Sequence, residues 1–182
     1  MSIVSNRYAA EAMTGAIFAT NLGFIGLVLS EQGIVRLILP RSTEAEALAA
    51  LGAEYPKLTM LDSALLPEYG NALRRYAQGE AVTFDFPFDL RGLTEFQQAA
   101  LMAAYAIPYG QVQTYKSLAE AIGRPKASRA VGGAMAKNPI PLMIPCHRVI
   151  ATNGNLTGYS GPGGLETKKR LLQLEGALAN DE

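Results

Sequence analysis

With 182 residues, 49% of them apolar and 18% charged, the chain has the material to bury a core in one large domain or two small ones, and its composition is that of a soluble globular protein. Sixteen Lys and Arg against sixteen Asp and Glu exclude an overtly basic nucleic-acid binder, although residues 1–89 carry six basic and ten acidic side chains while residues 90–182 carry ten and six. A single cysteine and a single histidine exclude an internal disulfide and a soft-ligand zinc site, and no apolar run reaches the ~20 residues that cross a bilayer.

The opening stretch MSIVSNRYAAEAMTGAIF lacks a basic region followed by an uninterrupted apolar core, so an intracellular, cytoplasmic protein is expected. Residues 1–12 read as a poorly structured lead-in. Ala16–Thr20, Gly26–Leu29 and Ile34–Leu39 then read as three strands of an antiparallel meander, joined by turns at Leu22-Gly23 and Glu31-Gln32-Gly33. Thr43 with Glu46 forms a capping box ahead of an alanine-rich helix to about Gly52, and Pro56 opposes its continuation. Leu65, Leu66, Tyr69, Leu73 and Tyr76 recur at helical spacing and predict a second helix over Ser63–Gln78. The acids Glu44, Glu46, Glu54 and Glu68 read as solvated faces, and this half reads as a scaffold. Phe84–Asp89 alternates apolar and acidic residues up to Pro87, as an edge strand leading into a linker would. A boundary near Gly92 gives an N-terminal α/β scaffold domain over 1–91 and a second domain over 92–182.

Thr94 is a good N-cap for a nearly all-apolar helix over Glu95–Ala106, which should be buried. Val112–Thr114 is a short extended piece, and Thr114 caps a helix from Tyr115 to Ile122 that stops at Gly123. Pro125 suits the first turn of another helix, through Arg129 to about Lys137. Two helices joined this way form a helix-turn-helix pattern, of which most examples never touch DNA. Ala127, Ala130, Gly132, Gly133, Ala134 and Ala136 give the second helix little bulk, suited either to close packing on a neighbouring helix or to close approach to a DNA groove. Lys116, Arg124, Lys126, Arg129, Lys137 and Arg148 face one acid, Glu120, within 116–148; this is a phosphate-binding patch or, on charge alone with equal weight, a solvated helical face. Asn153-Gly154 suits a tight hairpin turn, Gly158–Gly164 could close over a flat ligand, and Leu165–Leu174 reads as a final helix carrying basic Lys168, Lys169 and Arg170.

The lone cysteine and lone histidine are adjacent, Cys146-His147, after the proline-punctuated apolar run Asn138–Pro145. A thiol reacts as its thiolate, and His147 could accept its proton directly or through a water. On an extended strand the two side chains would point to opposite faces, so contact needs a turn here, which Pro145 makes plausible. The plainer reading is a buried small apolar cysteine beside a structural histidine, and a rigid connector that holds a nucleophile still stands against it.

The run RAVGGAMAKNPIPLMIPCHRVI (129–150), with TYKSLAEAIGRPKAS (114–128) before it and GYSG (158–161) after it, resembles the active-site signature of O6-alkylguanine-DNA alkyltransferases, the methylated-DNA–protein-cysteine methyltransferases. The resemblance spans residues 94–176 well and the N-terminal part loosely. It implies an α+β protein with an N-terminal antiparallel sheet and helices, RNase H-like, followed by a mainly helical C-terminal domain with a winged helix-turn-helix for DNA binding and alkyl transfer. The implied activity is irreversible, single-turnover transfer of an alkyl group from O6-alkylguanine, or O4-alkylthymine, to Cys146 after base flipping, without a cofactor. By the same resemblance Glu175, His147 and a water form the relay that deprotonates Cys146, Tyr115 donates to the departing base and crowds a phosphate, and Asn138 is the hinge. Arg129 is the arginine finger. Lys116, Arg124, Lys126 and Thr152 join the DNA contacts, and Met135, Tyr159 and Ser160 line the base pocket. Some family members carry zinc in the N-terminal domain; the ligands are missing here, so no metal is expected. The expected partner is double-stranded DNA bearing alkylated bases, with no membrane, a monomer in solution and clustering on DNA. Two features depart from the family: Leu101 stands where a tryptophan is usual, and the chain is two residues longer near Ser160. The rival readings are a non-reacting alkylated-DNA-binding protein, against which Cys146 argues, and a cysteine hydrolase, for which no oxyanion-binding motif is evident.

Overall fold

Runs of apolar and β-branched residues broken by short turns fold back on one another as β1 (Thr14–Thr20), β2 (Gly23–Ser30) and β3 (Gly33–Arg41). The structure is a computed structural model that describes residues 12–159 and 161–179. The lead-in expected over residues 1–12 lies, as far as residue 11, outside the described residues.

 Of that stretch only Ala12 is described. The chain divides into two compact units, Met1–Leu93 and Thr94–Glu182.

In the first unit β1 pairs antiparallel with β2 from Thr14↔Leu29 to Thr20↔Gly23, and β2 pairs antiparallel with β3 through two register shifts. The meander is the one that the alternation implies, with each strand running on into its turns. A fourth strand, β4 (Thr59–Met60), pairs in parallel with β1, giving the order β3-β2-β1-β4; two exposed residues carry no sequence signal for it. Helix α1 (Glu44–Glu54) starts where the Thr43 hydroxyl accepts from the Glu46 amide at 3.2 Å, but the Glu46 carboxylate accepts from Ser42 N at 3.1 Å, one residue beyond the expected box. Leu51 of this helix joins Met13, Val28, Val35, Ile38 and Tyr55 in the core.

The single helix expected over Ser63–Gln78 is two elements. Ser63–Leu65 is a 3-10 turn, and α2 (Pro67–Ala77) begins afresh at Pro67, which has no N–H to extend the preceding turn and suits a helix start. Phe84–Asp89 is not an edge strand: only Phe88 bridges Ile34, through Ile34 N to Pro87 O and Asp89 N to Ile34 O, both 2.8 Å. Gly33, with φ +140°, permits this approach, since a Cβ there would collide with the Pro87 carbonyl.

The second unit opens with α3 (Glu95–Tyr105), capped reciprocally by Thr94 and Gln97. It is not buried all round: Ala100, Leu101 and Ala104 face the core, whereas Met102 is 43% exposed, because its many alanines leave one face without bulk to bury. β5 (Gln113–Thr114) leads into α4 (Tyr115–Ala121), whose Thr114 cap accepts from Ser117 N at 3.0 Å. Pro125 lies outside the next helix: Arg124–Ala127 form a turn closed at 2.8 Å, and α5 (Ser128–Ala136) starts three residues later than Pro125 suggests. β6 (Val149–Ile150) pairs in parallel with β5, and α6 (Gly164–Leu174) follows. Asn153-Gly154 does turn, with Gly154 N donating to Ala151 O at 2.9 Å, but among the described residues no strand follows to make a hairpin. No helix among the described residues is long and apolar enough to cross a membrane.

Candidate active site

Asn138–Pro145 runs as a buried connector, with Ile140, Leu142, Met143 and Ile144 each at 2% exposure or less. Leu142 is the one non-glycine residue of positive φ among the described residues, at 70°, a conformation that costs on the order of 1 kcal/mol and that close packing must enforce. Asn138 ties the connector together: its Nδ2 donates to Ile144 O at 2.7 Å, and its Oδ1 accepts from Ile140 N at 3.0 Å.

Beyond Pro145 the chain makes one 3-10 turn, Cys146–Arg148, and all three side chains are buried. The turn supplies the local bend that an adjacent Cys-His pair requires. Burial pushes the Cys146 thiol up, against the pull of a hydrogen bond from Asn138 and the positive charge of Lys168. His147 Nε2 lies 2.8 Å from Glu175 Oε1, and Glu175 also accepts from Arg148 Nε at 2.7 Å and Nη2 at 3.0 Å. Burial by itself would raise the Glu175 carboxyl, but hydrogen bonds from His147 and Arg148 outweigh it and hold the group at about 2. An ionised carboxylate only accepts, so His147 Nε2 carries the proton and donates. Burial lowers the His147 pKa, and Arg148 and Lys168 add to this against Glu175, so the ring is neutral near pH 7.

Arg148, counted above with the basic span, is 6% exposed and is taken out of that patch by Glu175 and by the Ile107 carbonyl at 2.6 Å. Lys168 lies on the buried face of α6, fully covered, and its Nζ donates to Val149 O at 2.5 Å and Thr157 O at 2.8 Å. Lys168, Leu171, Leu172 and Glu175 recur at i, i+3, i+4 and i+7, so helical periodicity could have found it.

A cleft of about 740 Å³ has none of the three turn residues in its lining, but Tyr115 and Tyr159, which do line it, feel the charge of Cys146. Ser128, Gly132 and Ala136, at four-residue spacing on α5, form one wall with the exposed Arg129; Tyr115 and Lys116 of α4 and Thr152, Thr157, Gly158 and Tyr159 of the following loop form others. Met135 is not on this wall: with Val131 and Ala134 it occupies the inward face of α5 and is 3% exposed. A Cβ at Gly133 would meet no atom within 4 Å, so packing on a neighbouring helix does not require the glycine there. Arg124, Lys126 and Lys137 are exposed near the ends of α5, and Lys116 is 3.9 Å from Glu120. Tyr115 Oη donates to Thr157 O at 3.0 Å, the same carbonyl that Lys168 binds. Burial and the nearby Cys146 raise the Tyr115 and Tyr159 hydroxyls above the ordinary phenol value. Tyr159 Oη is buried without a hydrogen-bond partner among the described residues. Ser160 lies outside them.

The small-faced α5, the basic rim and a buried thiol that acts on two tyrosines of the cleft point to a DNA-binding unit with a nucleophile. A family model described as "6-O-methylguanine DNA methyltransferase, DNA binding domain" matches residues 95–177. A methylated-DNA–protein-cysteine methyltransferase of Methanosarcina acetivorans is 40% identical over 162 residues, which cover 89% of this chain and 97% of that protein. The crystal structure of Mycobacterium tuberculosis O6-methylguanine methyltransferase superposes with a TM-score of 0.72 at 33% identity, covering 93% of this chain and 96% of that one. The Mycobacterium tuberculosis protein crystallised in complex with DNA gives the same TM-score of 0.72 at 34% identity, over 90% and 93% of the two chains. The chain belongs to the methylated-DNA–protein-cysteine methyltransferase family.

Proposed function

We propose that this protein repairs DNA by direct damage reversal, moving an alkyl group from O6-alkylguanine in double-stranded DNA to Cys146. The observation that carries this reading is the Cys146–Arg148 turn, where a buried thiol adjoins a histidine whose outer nitrogen is fixed by an ionised carboxylate. Because Nε2 is committed to Glu175, the thiol proton passes to His147 through Nδ1, by way of a water. The thiolate attacks the alkyl carbon, the carbon–O6 bond breaks, and its electron pair leaves on guanine. The Tyr115 hydroxyl, which the site keeps protonated, donates towards a ring nitrogen of that base once it exchanges Thr157 O for the substrate. Tyr159 Oη and Ser160 are further donors, with Tyr159 along one face of the base. Asn138 transmits the position of α5 to the nucleophile. The thioether has no easy route back to the thiol, so one molecule acts once.

A base inside the stack cannot be attacked in line, and turning it out costs a few kcal/mol, less where the lesion weakens pairing. Arg129, exposed on the cleft wall, fills the space left behind, and the α4–α5 pair acts as the helix-turn-helix with residues 151–157 as a wing-like loop. Lys116, Arg124, Lys126 and Thr152 hold the phosphates. The N-terminal unit is the scaffold, and its order β3-β2-β1-β4 with a parallel outer strand supports an RNase H-like arrangement. The protein acts as a monomer in the cytoplasm and can cluster along DNA. Incubation with a duplex containing O6-methylguanine should add one methyl to Cys146 by mass spectrometry, one per molecule. A duplex bound but left methylated would instead identify a non-reacting binder.

A further inference from the structure

Lys168 is an ammonium group with no exposed surface, and among the described residues the partners of its Nζ are two backbone carbonyls rather than a carboxylate. A buried cation is costly unless it is paired with an anion. The carbonyls are not arbitrary. Val149 directly follows the Cys146–Arg148 turn, and Thr157 O also receives the Tyr115 hydroxyl, whose ring lies 5.8 Å from Nζ.

We infer that Lys168 is a positioning residue for the transfer step: its ammonium supplies the countercharge of the Cys146 thiolate, while its two hydrogen bonds hold the strand after the nucleophile and the loop that seats Tyr115. The inference deepens the alkyl-transfer reading and rests on it for the reaction concerned. At pH 7 Lys168 keeps its three protons during the transfer, and the thiol proton leaves by way of His147. The charged and titratable groups around this point are Cys146 and His147 on the turn, Glu175 and Arg148 paired beyond His147, and Tyr115 and Tyr159 along the cleft. Glu175 is already matched by Arg148, so among the described residues around this point Cys146 is where a negative charge can balance Lys168. Burial lowers the Lys168 pKa to about 8, and Cys146 opposes the fall.

The test follows alkylation of Cys146 by iodoacetamide against pH, by mass spectrometry, in the wild type, Lys168→Gln and Lys168→Arg, with methyl transfer from an O6-methylguanine duplex measured in parallel. Lys168→Gln should move the midpoint of the iodoacetamide profile up by about one pH unit and slow the reaction at pH 7 about tenfold, and Lys168→Arg should restore most of the loss. An unmoved midpoint in folded Lys168→Gln, or an arginine variant as slow as the glutamine one, overturns the proposal. A second readout does not depend on those variants folding: the Lys168 side chain, followed by NMR with labelled lysine, should titrate lower in Cys146→Ser than in the wild type. An identical midpoint in the two also overturns it. A wild type that leaves the duplex methylated refutes the repair function instead, because neither the iodoacetamide profile nor the lysine titration uses DNA.

Discussion

Replacing Glu175 with glutamine keeps the shape of the side chain and removes the one charge on which His147 and Arg148 converge. In the native site Oε1 and Oε2 take three hydrogen bonds from these residues, at 2.7 to 3.0 Å, and the carboxyl is 5% exposed. Glutamine accepts through one oxygen only and leaves the Arg148 charge buried without its counterion. Two routes give the size of the effect. The carboxyl falls from 4.5 to about 2 on folding, which at about 1.4 kcal/mol per unit is about 3 kcal/mol. Breaking one partner of a buried ion pair costs about 3–5 kcal/mol in general, which overlaps that figure. Because the folded-state pKa is the lower one, this stability is fully present above about pH 4.5 and is lost as pH falls towards 2. Urea denaturation followed by circular dichroism should therefore show the variant about 3 kcal/mol less stable at pH 7, with the gap closing between pH 4.5 and 2. A difference below about 0.5 kcal/mol at pH 7, or a gap that stays constant down to pH 2, would refute the assignment of Glu175 as an ionised, doubly engaged carboxylate.

Three further outcomes are expected. Cys146→Ser should abolish methyl transfer while binding the lesion duplex within about threefold of the wild type, since 8% exposure leaves the sulfur little contact area to lose; gel-shift titration and mass spectrometry measure the two. Gly158→Ala should destabilise the fold by about 1 kcal/mol or more and slow transfer, because φ is +68° and the new Cβ would sit 2.8 Å from Tyr115 Oη; thermal melting and single-turnover kinetics report on each. Lys116→Ala should lower the slope of log binding constant against log salt by about 0.9, the share of one phosphate contact, and an unchanged slope would remove Lys116 from the DNA interface.

Residues whose role follows from local periodicity or capping were legible in the chain. The three long strands, the Thr94 and Thr114 caps and the turn at Cys146 all follow from spacing and from Pro145. Tertiary pairing was not legible: β4 exists only because β1 offers it a partner, and Phe88 meets Ile34 by a single bridge. Two helix starts were misplaced, one by apolar spacing that passed over Pro67 and one by Pro125 itself. Pro67 begins a helix that the apolar spacing had merged with the preceding turn, and Pro125 stands in a turn ahead of α5. Charge counting put Arg148 in the basic span and saw Lys168 only as one of three bases on the last helix, because a one-dimensional count does not reveal that Glu175 or a pair of carbonyls draws each of them inward. On α5 the spacing alone does not separate Ala136, which lines the cleft, from Met135, which is about 100° round the axis and turned inward.

Glu175 comes 28 residues after His147 in the chain, and Lys168 comes 19 after Val149, so the last helix delivers both charges to a turn that is synthesised earlier. During translation the sulfur thus emerges ahead of the groups that prepare it. A reagent that can be spent only once is, by this order of assembly, withheld from use until α6 has docked.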